Sequence, residues 1–207
     1  MLYVLTVFCC LGCASIPLTH YYTFRPDIEF PEKLVSSTYP YTLTIEPFET
    51  DFPYQEHKIV FRRSPYEVNF YEYHKWLQPL EQLVTEQVVK LASATQIFQH
   101  VHDQAFGTYA DYIIHGNIKM FDFWYSPPNP FVRIQLEYQF IAAKEDQIIW
   151  MQTIDTIREI EMFDLTEPVT SSHIVEIVKV FEAALHENIV QALTRMDEVL
   201  SQQQDVR

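Results

Sequence analysis

Val132-Arg133-Ile134-Gln135-Leu136-Glu137-Tyr138-Gln139-Phe140 alternates apolar and polar side chains without a break. Successive strand side chains point to opposite faces, so this pattern predicts a strand with one face in a core and the other in water. Similar runs flank it. Tyr112 to Trp124 opens the series and changes phase near Met120-Phe121, which predicts a bulge or a bend, and Pro127-Pro128-Asn129-Pro130 closes it in a rigid turn. Ile148-Ile149-Trp150-Met151 begins a third run that is apolar on both faces before Asp155, Arg158 and Glu159 return it to water. Such a start predicts a central strand. The connections between the three runs are too short for crossover helices, so an antiparallel meander is expected.

Upstream, Tyr41-Thr42-Leu43-Thr44-Ile45 alternates as a half-buried strand should and stops at Pro47, and Lys58-Ile59-Val60-Phe61-Arg62-Arg63 reads as another. Pro79 suits a first helical position, and Leu80, Leu83, Val84, Val88 and Leu91 recur at helical spacing, predicting a helix from about 79 to 94. Ile174, Ile177, Val178, Phe181, Leu185, Ile189, Leu193 and Met196 form a second stripe, predicting a helix from about 172 to 200 that covers one face of the sheet. A hydroxyl of Thr170-Ser171-Ser172 can cap it. Its stripe reads as core, with an oligomer or partner surface as the alternative. The expected fold is α+β, an antiparallel or mixed sheet packed by two main helices.

The N-terminus has a different character. Met1 to Phe8 is apolar but far short of the ~20 residues that span a bilayer, and Cys10-Leu11-Gly12-Cys13-Ala14-Ser15 follows it. A small residue before a cysteine at the end of a short apolar leader is the pattern of a bacterial lipoprotein signal. Cys10 where Leu is usual, and the lack of any Lys or Arg before Arg25, depart from that pattern. All three cysteines, Cys9, Cys10 and Cys13, lie in this leader, which leaves no disulfide to the mature chain and one sulfur to carry lipid. The expected organisation is a signal peptide over 1–12, a lipidated N-terminus and spacer over 13–38, one domain over 39–200 and a frayed tail over 201–207. Diacylglycerol and an N-acyl chain on Cys13 would be the only attached groups. Ala14 after the cysteine, where Asp would favour retention at the inner membrane, points to the outer membrane, facing the periplasm.

Twenty-eight acidic residues against 14 basic ones give a formal charge of −14, which argues against a phosphate-tracking nucleic-acid role. The three glycines, Gly12, Gly107 and Gly116, leave little from which to build a phosphate-cradling loop, and neither a nucleophile elbow nor a dinucleotide fingerprint occurs. His100-Val101-His102-Asp103 places two imidazoles and a carboxylate together, but no third metal ligand is set by spacing. It reads as a surface turn, with a metal-dependent enzyme as the rival. The remaining signal is the stretch from Phe61 to Pro79, in which Tyr66, Phe70, Tyr71, Tyr73 and Trp76 supply apolar bodies, most of them with polar tips, of the sort enriched where proteins meet partners. Packing beneath the neighbouring helix, or stacking on sugars of the cell wall, are the other readings of these rings.

Arg63-Ser64-Pro65-Tyr66-Glu67-Val68, leading into Tyr71-Glu72-Tyr73-His74-Lys75-Trp76 and Pro79, then Ala110-Asp111-Tyr112 and Gly116, resembles the ABC-type transport auxiliary lipoprotein family, the group of the PqiC-type lipoproteins. The resemblance covers the lipid-attachment signal and most of residues 41 to 195. It implies a domain like the N-terminal domain of TolB, without catalytic residues, in a system moving lipids or other apolar compounds between the inner and outer membranes. The implied partners are a periplasmic protein with mammalian-cell-entry (MCE) domains and an ABC permease or a paraquat-inducible-type membrane protein. A homo-oligomer is compatible with it. A peptidoglycan- or carbohydrate-binding envelope lipoprotein is the alternative function.

Overall fold

The run from Tyr112 to Trp124 becomes the strand on which the sheet is built. The structure, a computed structural model, describes residues 17–25, 38–103, 109–126, 128–161 and 170–205. In chain order its elements are β1 (His20–Tyr22), β2 (Tyr39–Ile45), β3 (Glu49–Thr50), β4 (Lys58–Ser64), β5 (Glu67–Trp76), α1 (Leu80–Thr95), β6 (Phe98–Asp103), β7 (Tyr112–Trp124), β8 (Phe131–Ala142), β9 (Gln147–Glu159) and α2 (Ser171–Asp205). They form a nine-stranded mixed sheet with two helices, an α+β fold.

One edge of β7 pairs along its length with β8 in antiparallel register, from Tyr112↔Ala142 to Trp124↔Phe131. Its other edge is shared by three short parallel strands in succession: β2 at Leu43↔Tyr112, β3 at Glu49↔Asn117 and β4 at Val60↔Asp122. The sheet therefore forks. Beyond β2 lies β6, and beyond β4 lie β5 and then β1. The expected bulge is present, because the β7–β8 register shifts between Ile118 and Met120 and passes over Lys119. The antiparallel meander β7-β8-β9 is also as expected.

On the inner face of β8, Val132, Ile134, Leu136, Tyr138 and Phe140 are all buried. Both helices lie on this face, with α2 over β8 and β9 and α1 over β2 and β6. Their buried stripes are the ones predicted by helical spacing. Asn188, wholly buried on α2, accepts from the Tyr138 hydroxyl at 2.9 Å and donates to the Ile154 carbonyl and Thr156 Oγ1 at 3.0 Å each, which pins the helix to two strands. The start of α2 is held by the imidazole of His173, whose Nδ1 accepts from the Thr170 backbone N–H at 3.1 Å, and the Thr170 hydroxyl bonds that of Ser172. At Gly116 a Cβ would fall inside the buried ring of Phe48. Gly116→Val is therefore expected to cost about 1–3 kcal/mol through overpacking, read as a lowered urea midpoint.

Several expectations change. Residues 13–38 are not all spacer: β1 pairs in parallel with β5 and Phe24 is buried in the core, so the ordered domain starts before residue 39. The tail continues α2 to Asp205, steadied by a 2.9 Å hydrogen bond between the hydroxyls of Tyr39 and Ser201. The start of β9 is not central, since among the described residues β9 pairs only with β8 and leaves Ile148, Met151 and Ile157 at least half exposed. Its continuous apolar run has a local cause, a register shift between Phe140 and Ile141 that inserts Ile149 and breaks the alternation. Finally, His100 to Asp103 is strand β6 and not a turn. The leader, with Cys13, lies outside the described residues.

Candidate functional site

Strands β4 and β5 form a hairpin whose last pair is Ser64↔Glu67, so Pro65 and Tyr66 are its two-residue turn. Proline presets one turn residue, and the Ser64 hydroxyl accepts from the Tyr66 N–H at 3.4 Å. The pairing slips twice, between Lys58 and Val60 and between Phe61 and Ser64. These slips divide the aromatic stretch among three environments.

Tyr66 at the turn is 97% exposed, and Val68 and Tyr73 are each more than one-third exposed. Phe70 and Tyr71 are half-buried and, as neighbours on the strand, lie on opposite faces of the hairpin. Phe70 lies 6.2 Å from the Phe52 ring, with the Lys58 ammonium 5.7 Å from its centroid, and Tyr71 packs on Phe61 at 4.6 Å. Burial pushes the Tyr71 hydroxyl far above its ordinary range, so it stays protonated. Trp76 is a core residue, 2% exposed, with its ring at 5.5 Å from Phe24, 5.9 Å from Phe121 and 5.8 Å from Phe181. Its indole offers no contact surface. Of the five aromatics singled out from sequence, Tyr66 and Tyr73 are exposed, Phe70 and Tyr71 are half-buried against Phe52 and Phe61, and Trp76 anchors the strand in the core.

Strand β1 pairs only with His74, Lys75 and Trp76, so the outer edge of β5 from Glu67 to Tyr73 has no strand partner among the described residues. A free edge beside exposed aromatics can accept an added strand from another chain. Sequence reading missed β1, although His20-Tyr21-Tyr22-Thr23-Phe24 is a run of strand-favouring aromatics ending before Pro26. Its side chains complete the site: His20 stacks on His74 with ring centroids 5.5 Å apart, and the Tyr22 hydroxyl bonds His74 Nδ1 at 2.8 Å.

Burial pushes the His74 pKa below the ordinary imidazole value, and the facing His20 adds to this. Besides these two histidines, Tyr22 and Tyr71 face its ring. The unfolded chain holds the His74 proton more tightly than the folded one, so this contribution to stability is complete above a pH of about 6.5 and is lost progressively as pH falls below it through the lower folded-state pKa. His74→Gln is expected to flatten the dependence of the urea midpoint between about pH 7.5 and 5.5 relative to the unsubstituted chain.

Beneath the hairpin, Asp122 of β7 is fully buried, accepts from the Tyr54 hydroxyl at 2.7 Å and pairs with the guanidinium of Arg62 on β4. Burial raises the Asp122 pKa, and the bonds from Tyr54 and Arg62 oppose that rise. Arg62 also lies 5.8 Å from the Trp124 ring. These contacts fix the base of the hairpin to the sheet. On β6, His100 and His102 share a face with ring centroids 6.3 Å apart, and no group of three or more potential metal ligands occurs among the described residues. Nor is any described helix long and apolar enough to cross a membrane.

Residues 51–193, which take in the whole hairpin, α1, the meander and most of α2, match the family described as ABC-type transport auxiliary lipoprotein component. No curated protein matches the chain by sequence. Solved structures share the fold at low identity. A Xanthomonas campestris protein of the DUF330 family has a TM-score of 0.74 at 16% identity, with 90% of this chain and 99% of that one covered. A hypothetical protein of Chlamydia trachomatis has a TM-score of 0.52 at 8% identity, covering 77% of this chain and 96% of that one.

Proposed function

Because the chain belongs to the family of ABC-type transport auxiliary lipoprotein components, we propose that it is a non-enzymatic lipoprotein docking the outer-membrane end of a system that moves lipids or other apolar compounds across the envelope. The family match over residues 51–193 carries this reading. Cys13, bearing diacylglycerol and an N-acyl chain, is the anchor. The partner is an MCE-domain periplasmic protein, an ABC permease or a paraquat-inducible-type membrane protein. It meets the free β5 edge, where Val68 and Tyr73 are exposed beside the half-buried Phe70 and Tyr71. An extended partner segment added there would gain main-chain hydrogen bonds from the edge and apolar contact from the rings.

Site-specific photocrosslinking in intact cells tests this site. A benzoylphenylalanine in place of Tyr73 is expected to trap an MCE-domain or transporter subunit, whereas the same group in place of Lys144, in the β8–β9 turn, is expected to trap none. Equal adducts at both positions, or adducts only with peptidoglycan, would contradict the docking role of the β5 edge.

A further inference from the structure

Strand β1 runs parallel to β5, with His20↔His74, Tyr21↔Lys75 and Tyr22↔Trp76 in register. Since β5 runs from the hairpin turn toward Trp76, the chain on the N-terminal side of His20 leaves β1 in the direction of that turn. From Cys13 to His20 there are seven residues, which span at most ~25 Å when fully extended. From His74 back to Tyr66 the register slips compress eight residues of β5 into about six strand steps, roughly 20 Å. A tether starting from the register point of His74 and heading the same way can carry its end only about 5 Å past the hairpin tip. Had the whole of 13–38 been spacer, the reach would have been about 90 Å and no such constraint would hold.

From this we infer that the β4–β5 hairpin tip lies in the headgroup layer of the membrane that holds the anchor, with Tyr66 and Arg63 in contact with lipid. The inference rests on Cys13 being the lipidated residue. The chemistry of the tip suits that position. Phe61-Arg62-Arg63-Ser64-Pro65-Tyr66 holds two arginines and no acid, in a chain whose formal charge is −14. Arg62 is committed to Asp122, while Arg63 is exposed, its guanidinium 5.4 Å from the Tyr125 ring and 6.0 Å from that of Phe61. A tyrosine with an apolar body and a polar tip beside a cation is the combination that settles at headgroup level and meets lipid phosphates. Leu18, on the tether itself, is 76% exposed and can follow Tyr66 into the interface. The opposite end of the sheet, where Tyr112 pairs with Ala142 and Lys144 occupies the next turn, would then face away from the lipid.

Full-length lipidated protein carrying an NBD fluorophore on Tyr66→Cys or on Lys144→Cys, reconstituted into phosphatidylethanolamine–phosphatidylglycerol vesicles with headgroup-proximal doxyl lipid, tests the inference. Both sites are exposed, so neither substitution threatens the fold. The Tyr66 position is expected to be quenched several-fold more strongly than the Lys144 position, with a blue-shifted emission. Equal, weak quenching at both sites in protein that floats with the vesicles would overturn the lipid contact and leave the anchor standing. Protein that does not float would overturn the anchor, and the lipid contact with it.

Discussion

Replacing Cys13 with Ser is expected to move the protein from the membrane fraction to the soluble fraction. Each buried methylene contributes ~0.8 kcal/mol of membrane affinity, so one acyl chain holds a protein only marginally and reversibly, whereas two or three hold it stably. No described helix is long and apolar enough to cross a bilayer. Gly12 before Cys13 is the small residue that a lipoprotein-processing peptidase favours. A thioether to diacylglycerol needs the Cys13 sulfur, and a serine oxygen is no substrate for that transfer. The lipid contact inferred for Tyr66 and Arg63 is too small to retain the chain without acyl groups. Fractionation followed by a urea wash reads the result. A Cys13→Ser protein still found in the washed membranes would contradict the assignment.

The second large effect belongs to Asp122. Asp122→Ala removes the carboxylate facing the Arg62 guanidinium and the acceptor for the Tyr54 hydroxyl, both at buried or nearly buried positions. Breaking one partner of a buried ion pair costs about 3–5 kcal/mol, because the surviving charge remains desolvated and unmatched. The triple substitution Tyr54→Phe, Arg62→Met and Asp122→Leu removes the whole polar group and is expected to recover most of that loss, since apolar side chains of similar volume replace buried pairs at little cost. Urea unfolding of the two variants separates the two effects. A loss below about 1 kcal/mol for Asp122→Ala would show that water reaches Arg62 and that the hairpin base is not the dry contact described.

The legible parts of the fold were those encoded by local periodicity. Strict alternation from Val132 to Phe140 marks β8, the phase change near Met120 marks the β7 bulge, and the helical stripes mark α1 and α2. What escaped is set between distant segments. The parallel pairings β2–β6, β2–β7 and β4–β7 depend on register between stretches far apart in sequence, which no local pattern records. Strand β1 is three residues long, too short for a period to emerge, and is held by pairing with β5. The aromatic stretch shows the same limit within the site. Tyr66 and Trp76 belong to the same class of large amphipathic rings, yet one is almost fully exposed at the hairpin turn and the other is buried where β5 ends against the core. The family resemblance was legible because it rests on residue identities from Arg63 to Trp76, and the match over residues 51–193 agrees with it.

The central claim is that this lipoprotein works as the docking component of a transport assembly. Its most direct test is to purify the tagged protein from native membranes in mild detergent and identify by mass spectrometry what remains bound. Recovery of an MCE-domain protein or an ABC transporter subunit is the predicted result, lost when Val68 and Tyr73 are both replaced by Asp. Recovery of the lipoprotein alone, or with peptidoglycan fragments, would contradict it.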